Sequence, residues 1–158
     1  MKILATAPSR IVTRHFFVGA LQLEIAKARR HRHCVSVVGL SPDTLAGSNA
    51  ARGDALARFA TIVGRHIRAT DIILVRPPDA VFVMLADADP TAWPALFARL
   101  AGVDYDDAFG APTGAPSWSI GGSYYPSSGS DPENLLSQAS SLMTMARQDG
   151  GNRLYVAD

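Results

Sequence analysis

Residues 68–85 read Arg68-Ala-Thr-Asp-Ile-Ile-Leu-Val-Arg-Pro-Pro-Asp-Ala-Val-Phe-Val-Met-Leu85, and this stretch decides the fold. Two β-branched and aliphatic runs, Ile72–Val75 and Val81–Leu85, flank Arg76-Pro77-Pro78-Asp79. Apolar runs of that length on either side of a turn predict a hairpin with a proline-rich tip. Upstream, Leu56, Phe59, Ala60, Val63 and Ile67 recur at helical spacing and predict a helix from about Asp54 to Ile67. Downstream, Asp89-Pro90 is a cap and first-turn pair that opens a helix through Trp93, Leu96, Phe97 and Leu100.

Working outward, a first helix is expected from about Thr13 to Arg30, with Phe17, Leu21, Ile25 and Ala28 on one apolar face and basic residues at its C-terminus. Cys34–Leu40 reads as a buried central strand, closed by Ser41-Pro42-Asp43. Residues 46–50 and 102–116 read as loops. Ser117–Tyr125 reads as a strand in which Gly121-Gly122 signals a bulge or a close backbone approach. Asp131-Pro132-Glu133 caps a last helix that ends at Gly150-Gly151, and Leu154–Val156 closes the chain as a strand. The order α-β-α-β-β-α-β-α-β predicts an α+β fold, a single domain over residues 1–158. Its central, mostly antiparallel five-stranded sheet is flanked by helices.

Composition narrows the function. A chain of 158 residues with 47% hydrophobic content can bury a sizeable core. The formal net charge of +1 gives no global field that would select nucleic acid or an acidic membrane, so neither is expected as a partner. Arginine far outnumbers lysine, which suits planar phosphate contacts. The single Cys34 excludes an internal disulfide and a multi-cysteine metal site. His31, His33 and Cys34 read as a solvated basic turn before a strand, with side chains on alternating sides. Residues 1–12 are broken by Pro8 and Arg10, and no apolar run is long enough to span a bilayer, so a cytoplasmic protein is expected.

Arg68-x-x-Asp71, then five residues, then Pro77-Pro78-Asp79-Ala80-Val81 resembles the centre of a GGDEF domain, the diguanylate cyclase fold of bacterial signalling. There, Arg-x-x-Asp and five residues lead into Gly-Gly-Asp/Glu-Glu-Phe. Other fragments follow in order. Thr13-Arg14-His15-Phe16-Phe17 resembles Asn-Arg-x-x-Phe, and Gly53-Asp54 with Leu56 resembles Gly-Asp-x-x-Leu. Trp118-Ser119-Ile120-Gly121 with Tyr125-Pro126 resembles Val-Ser-Ile-Gly with Tyr-Pro. Residues 139–147 stand where Ala-Asp-x-Ala-Leu-Tyr-x-Ala-Lys belongs.

The resemblance implies two sites in different condition. The catalytic one is degenerate. Pro77 and Pro78 replace the hairpin glycines, fixing φ and removing two N–H donors. The first-strand metal aspartate falls on Ser41, or on Gly39 if the register shifts, and neither supplies a carboxylate for Mg²⁺. Asp79 keeps one acid, Ala80 replaces the glutamate, and Ser140 and Arg147 replace the late-helix Asp and Lys. Asp54 survives at a guanine-contacting position, although by itself it reads as a helix N-cap. No catalytic residue, metal site or cofactor is expected, and the chain is expected not to be an enzyme. The inhibitory Arg-x-x-Asp site looks intact. The resemblance implies that Arg68 and Arg99 hold cyclic di-GMP and that Asp71 reads the guanine edge, with Arg65 and Arg76 adding local charge. The expected function is an inactive domain acting as a cyclic di-GMP receptor, with output through an effector protein or a homodimer. The alternatives are a protein-interaction module that binds no nucleotide and a pseudo-cyclase that senses GTP.

Overall fold

The computed structural model describes residues 10–43, 45, 47–109 and 117–158. In chain order the elements are Ile11–Val12 (β1), Arg14–His31 (α1), Val35–Pro42 (β2), Asn49–Gly64 (α2), Ile72–Arg76 (β3), Ala80–Ala86 (β4), Trp93–Ala101 (α3, entered through a 3-10 turn at Pro90–Ala92), Asp106–Phe109 (α4), Trp118–Tyr125 (β5), Pro132–Gln148 (α5) and Arg153–Val156 (β6). The strands form one sheet in the order β1-β3-β4-β2-β5-β6. Pairings β3–β4, β4–β2 and β2–β5 are antiparallel, while β1 and β6 pair in parallel at the two edges.

The sheet has six strands where five were expected. The added strand is β1, whose two residues are too short to show alternation. It exists because Ile73 N–H bonds to Arg10 O at 2.8 Å and Ile11 and Val12 align with Ile73 and Leu74. Helix α2 also begins earlier than Asp54. Ser48 caps it, its hydroxyl accepting from Ala51 N, so Asp54 lies inside the helix and caps nothing. The segment read as a loop after Gly102 contains the single helical turn α4, and residues 110–116 lie outside those described.

Side-chain alternation in the strands splits the core into two layers. On one face, Val38, Leu40, Val81, Val83 and Leu85 pack with Leu56, Phe59 and Val63 of α2 and Trp93, Leu96 and Leu100 of α3. On the other, Val35, Val37, Phe82 and Met84 pack with Phe17, Leu21 and Ile25 of α1 and Leu135, Ala139 and Met143 of α5. Gly121 and Gly122 mark a close approach, and the β2–β5 register runs without a bulge. A Cβ on Gly121 would lie 2.2 Å from Met143 N, and one on Gly122 would lie 2.3 Å from the Trp93 ring. Trp93 is fully buried and its indole N–H donates to Ser36 Oγ, so the sheet fixes the start of α3. The rings of His31 and His33 stack with centroids 6.2 Å apart, on the same side of the turn before β2.

Candidate functional site

Strand β3 carries chemistry at both ends. At its start, the chain leaves α2 and turns through Arg68–Asp71, with Asp71 N–H bonded to Arg68 O at 3.0 Å. The side chain of Asp71, expected to be open to a guanine edge, points inward. It is 1% exposed. Its Oδ2 accepts from Arg68 N at 3.0 Å and Arg68 Nε at 3.4 Å, and its Oδ1 accepts from Ala86 N at 3.0 Å and Thr70 Oγ1 at 3.4 Å. A carboxylate has about four lone-pair positions, and all four here have donors within the chain. Asp71 therefore shapes the turn and fastens it to β4.

Arg68 is more than half exposed. One terminal nitrogen donates to Ala86 O, which steers the guanidinium along the end of β4. Arg99, in the last turn of α3, donates through Nη2 to His66 O at 3.2 Å. Both arginines line one open cavity of about 270 Å³, along with Asp71, Asp87, Ala92 and Leu96. A guanidinium has five N–H donors, so each arginine keeps donors for an anion. Sequence reasoning missed two contributors. Arg10 donates through Nη1 to Ile67 O at 3.1 Å and also to Arg68 O, pinning the turn from β1. Asp87 sits at φ 48° just after β4 and lines the cavity. Neither belongs to a periodic stretch, and both depend on where the sheet brings the chain.

Arg65 and Arg76 do not join this cavity. Arg65 lines a separate recess beside Arg58, His66 and Asp104. Arg76 lies at the far end of β3. It donates to Ser140 Oγ at 2.7 Å, and its guanidinium lies 4.9 Å from the centroid of the Phe82 ring.

At that far end, the hairpin tip brings the sequence-selected residues together. Asp79 accepts from Arg147 Nη1 of α5 at 2.8 Å and lies 3.9 Å from Arg76 Nη2. Pro77 packs against α2, where its Cβ is 3.9 Å from the position a Cβ on Gly53 would take, so Asp54 neighbours the tip. The β2–β4 pairing ends at Leu40–Val81, so Ser41 follows directly after it, paired with Ser119 of β5. Ser41 is fully buried, and its hydroxyl finds no partner among the described residues. Asp43, two residues on, accepts from Ser117 Oγ, Ser119 Oγ and Asn152 N at 2.6–2.9 Å, holding β2 to β5 and to the turn before β6. Among the described residues, no group of three or more His, Cys, Asp or Glu side chains is placed to hold a metal ion. No helix among them is long and apolar enough to cross a membrane.

The family model for the diguanylate cyclase GGDEF domain matches residues 9–153. Solved structures agree in fold. The GGDEF domain of YfiN (TpbB) from Pseudomonas aeruginosa is 24% identical, with a TM-score of 0.73 over 94% of this chain and 91% of that one. DgcB from Caulobacter crescentus, in complex with cyclic di-GMP, is 13% identical, with a TM-score of 0.73 over 100% and 98% of the two chains. The diguanylate cyclase SiaD from Pseudomonas aeruginosa, in complex with its activator SiaC, is 15% identical, with a TM-score of 0.72 over 92% and 58%. No curated protein matches the sequence.

Proposed function

Because this chain belongs to the GGDEF family of diguanylate cyclase domains, we propose that it binds cyclic di-GMP in the Arg68–Arg99 cavity and makes none. The observation that carries the receptor half is convergence. Two arginines from separate elements line one open cavity, each held by a backbone carbonyl and each with donors left over. Forked donors from two separate elements suit a ligand with two phosphates, and a guanidinium plane also stacks on a purine. DgcB in its solved complex holds the same messenger on the same fold.

The inactive half rests on the hairpin end. Phosphodiester formation from a triphosphate needs divalent metal and preorganised charge around the reacting phosphate. Mg²⁺ takes hard oxygen ligands in near-octahedral geometry, with carboxylates foremost. Here the residues do not fit it. Ser41 offers a buried hydroxyl, Asp43 is held by three donors, and Asp79 faces two guanidinium groups. Arg147 places positive charge against the one acid left at the tip, and the proline rings replace the N–H groups that would meet an anion.

Signal output then falls to a contact with an effector protein or to a homodimer, acting in the cytoplasm where the messenger is made. Titration calorimetry should show cyclic di-GMP binding that Arg68→Ala abolishes, and absence of heat at high ligand concentration overturns the receptor reading. Incubation with GTP and Mg²⁺ followed by chromatography should show no cyclic product. Any turnover overturns the inactive reading.

A further inference from the structure

We propose that the solvent face of α1 receives a helix of a partner protein, one that carries acidic residues ahead of an apolar stripe. This inference goes beyond the receptor reading and stands whether or not the Arg68–Arg99 cavity takes a nucleotide. Helix α1 buries Phe17, Leu21, Ile25 and Ala28 against the sheet and α5. At about 3.6 residues per turn, Phe16, Gly19, Ala20 and Leu23 fall on the other side. Phe16 and Leu23 are each 58% exposed, more than any other large apolar side chain described. Four residues spaced in this way form the hole that takes a knob from a facing helix. Phe16 and Leu23 are its walls, and the small Gly19 and Ala20 are its floor. A Cβ on Gly19 would meet nothing within 4 Å, so packing within the chain makes no use of the missing side chain. A glycine inside a helix is otherwise a cost, and here it lets a second helix come close.

Charge decides the occupant. The rows that carry Leu23 continue into Lys27 and Arg30, both exposed. The acid nearest to them on α1 is Glu24, whose side chain is only 18% exposed and already lies 3.3 Å from Lys27 Nζ. The first turn of α1 carries no acid. Two copies of α1 packed in parallel would set Lys27 and Arg30 against their like. Packed antiparallel, they would set them against the end that bears Arg14 and His15. A second copy therefore does not suit this face. A partner helix running antiparallel to α1, with Asp or Glu about two to three turns ahead of its knob, meets Lys27 and Arg30 with opposite charge. Those acids stand at the partner's own N-terminus, where the helix dipole favours them, as it favours the basic last turn of α1. An anionic membrane would meet the same cations but has no knob for the hole at Gly19.

The test titrates the whole chain into a labelled synthetic helix as long as α1, with Glu in its first turn and a Leu stripe behind, and reads fluorescence anisotropy. A copy with Lys for Glu is the control. The acidic peptide should bind, the basic copy should not, and added salt should weaken the binding. Phe16→Ala and Arg30→Glu should each weaken it by about tenfold or more, as for a residue central to an interface. Gly19→Leu fills the hole, suits a helix better than glycine and should abolish binding, and thermal unfolding checks that each variant folds. Equal binding of the two peptides, or binding that Gly19→Leu leaves intact, overturns the proposal. So does retention on phosphatidylserine vesicles that Gly19→Leu spares while the peptide fails to bind, which gives the face to a membrane. A dimer in sedimentation that Phe16→Ala dissociates gives it to a second copy and overturns the proposal too. No cyclic di-GMP enters these measurements, so their failure leaves the receptor reading untouched.

Discussion

At Gly121 a side chain would meet backbone, with Met143 N 2.2 Å and Ala139 O 2.3 Å from an added Cβ. Neither atom can swing away as a side chain could, so α5 would have to lift from β5. Gly121→Ala is expected to cost about 3 kcal/mol, the upper range for forcing atoms into a packed interior. Gly19 is the control. It lies inside α1 with nothing within 4 Å of an added Cβ, so Gly19→Ala should stabilise by about 0.5–1 kcal/mol through backbone entropy. Urea midpoints should therefore move in opposite directions for the two variants. Asp71 sets a third expectation at this scale. Asp71→Asn keeps the shape but turns an amino group toward Arg68 N–H or Ala86 N–H, leaving one buried donor unpaired. A loss of about 2 kcal/mol should appear in the same denaturation experiment.

The segment from β4 into α3 depends on Asp89. Its Oδ1 accepts from Thr91 N at 2.8 Å and from the Thr91 hydroxyl, and these bonds hold its carboxyl below the ordinary value of 3.8. A carboxyl with a depressed folded-state pKa contributes stability above its unfolded-state pKa and loses it as pH falls through the folded-state value. Asp89→Ala should therefore lower the melting temperature at pH 7, and the gap to wild type should close below about pH 3.8. A gap that persists in acid would contradict the cap's ionic character. Asp89-Pro90 was legible because capping chemistry is local, and the same holds for Asp131 before α5. The start of α2 misled because Asp54 resembles a cap and Ser48 stands in a stretch that reads as loop. The strand β1 was invisible for a related reason. Its two residues carry no period, and only the edge of β3 makes them a strand. The turn at residues 68–71 was legible as a motif. The inward direction of Asp71 was not, because it depends on Ala86, fifteen residues away in sequence.

Across the molecule, the candidate binding end and the hairpin end lie at opposite termini of the five-residue strand β3. At about 3.3 Å per residue the strand separates them by roughly 16 Å. The candidate end ties together β1 through Arg10, the α2–β3 turn through Arg68 and Asp71, β4 through Ala86, and α3 through Arg99. A ligand seated there holds pieces that come apart on unfolding, so it should raise the stability of the whole domain through linkage. At a ligand concentration a hundred times the dissociation constant the gain is about 2.7 kcal/mol. For a chain of this size that gain raises the melting temperature by about 5–10 °C. Cyclic di-GMP should produce this rise in the wild type, and Arg68→Ala should remove it. Arg147→Ala releases Asp79 at the other end and should leave the rise intact. If GTP with Mg²⁺ gave an equal rise that Arg147→Ala abolished and Arg68→Ala spared, the nucleotide would be held at the hairpin end and the two ends would have to exchange roles.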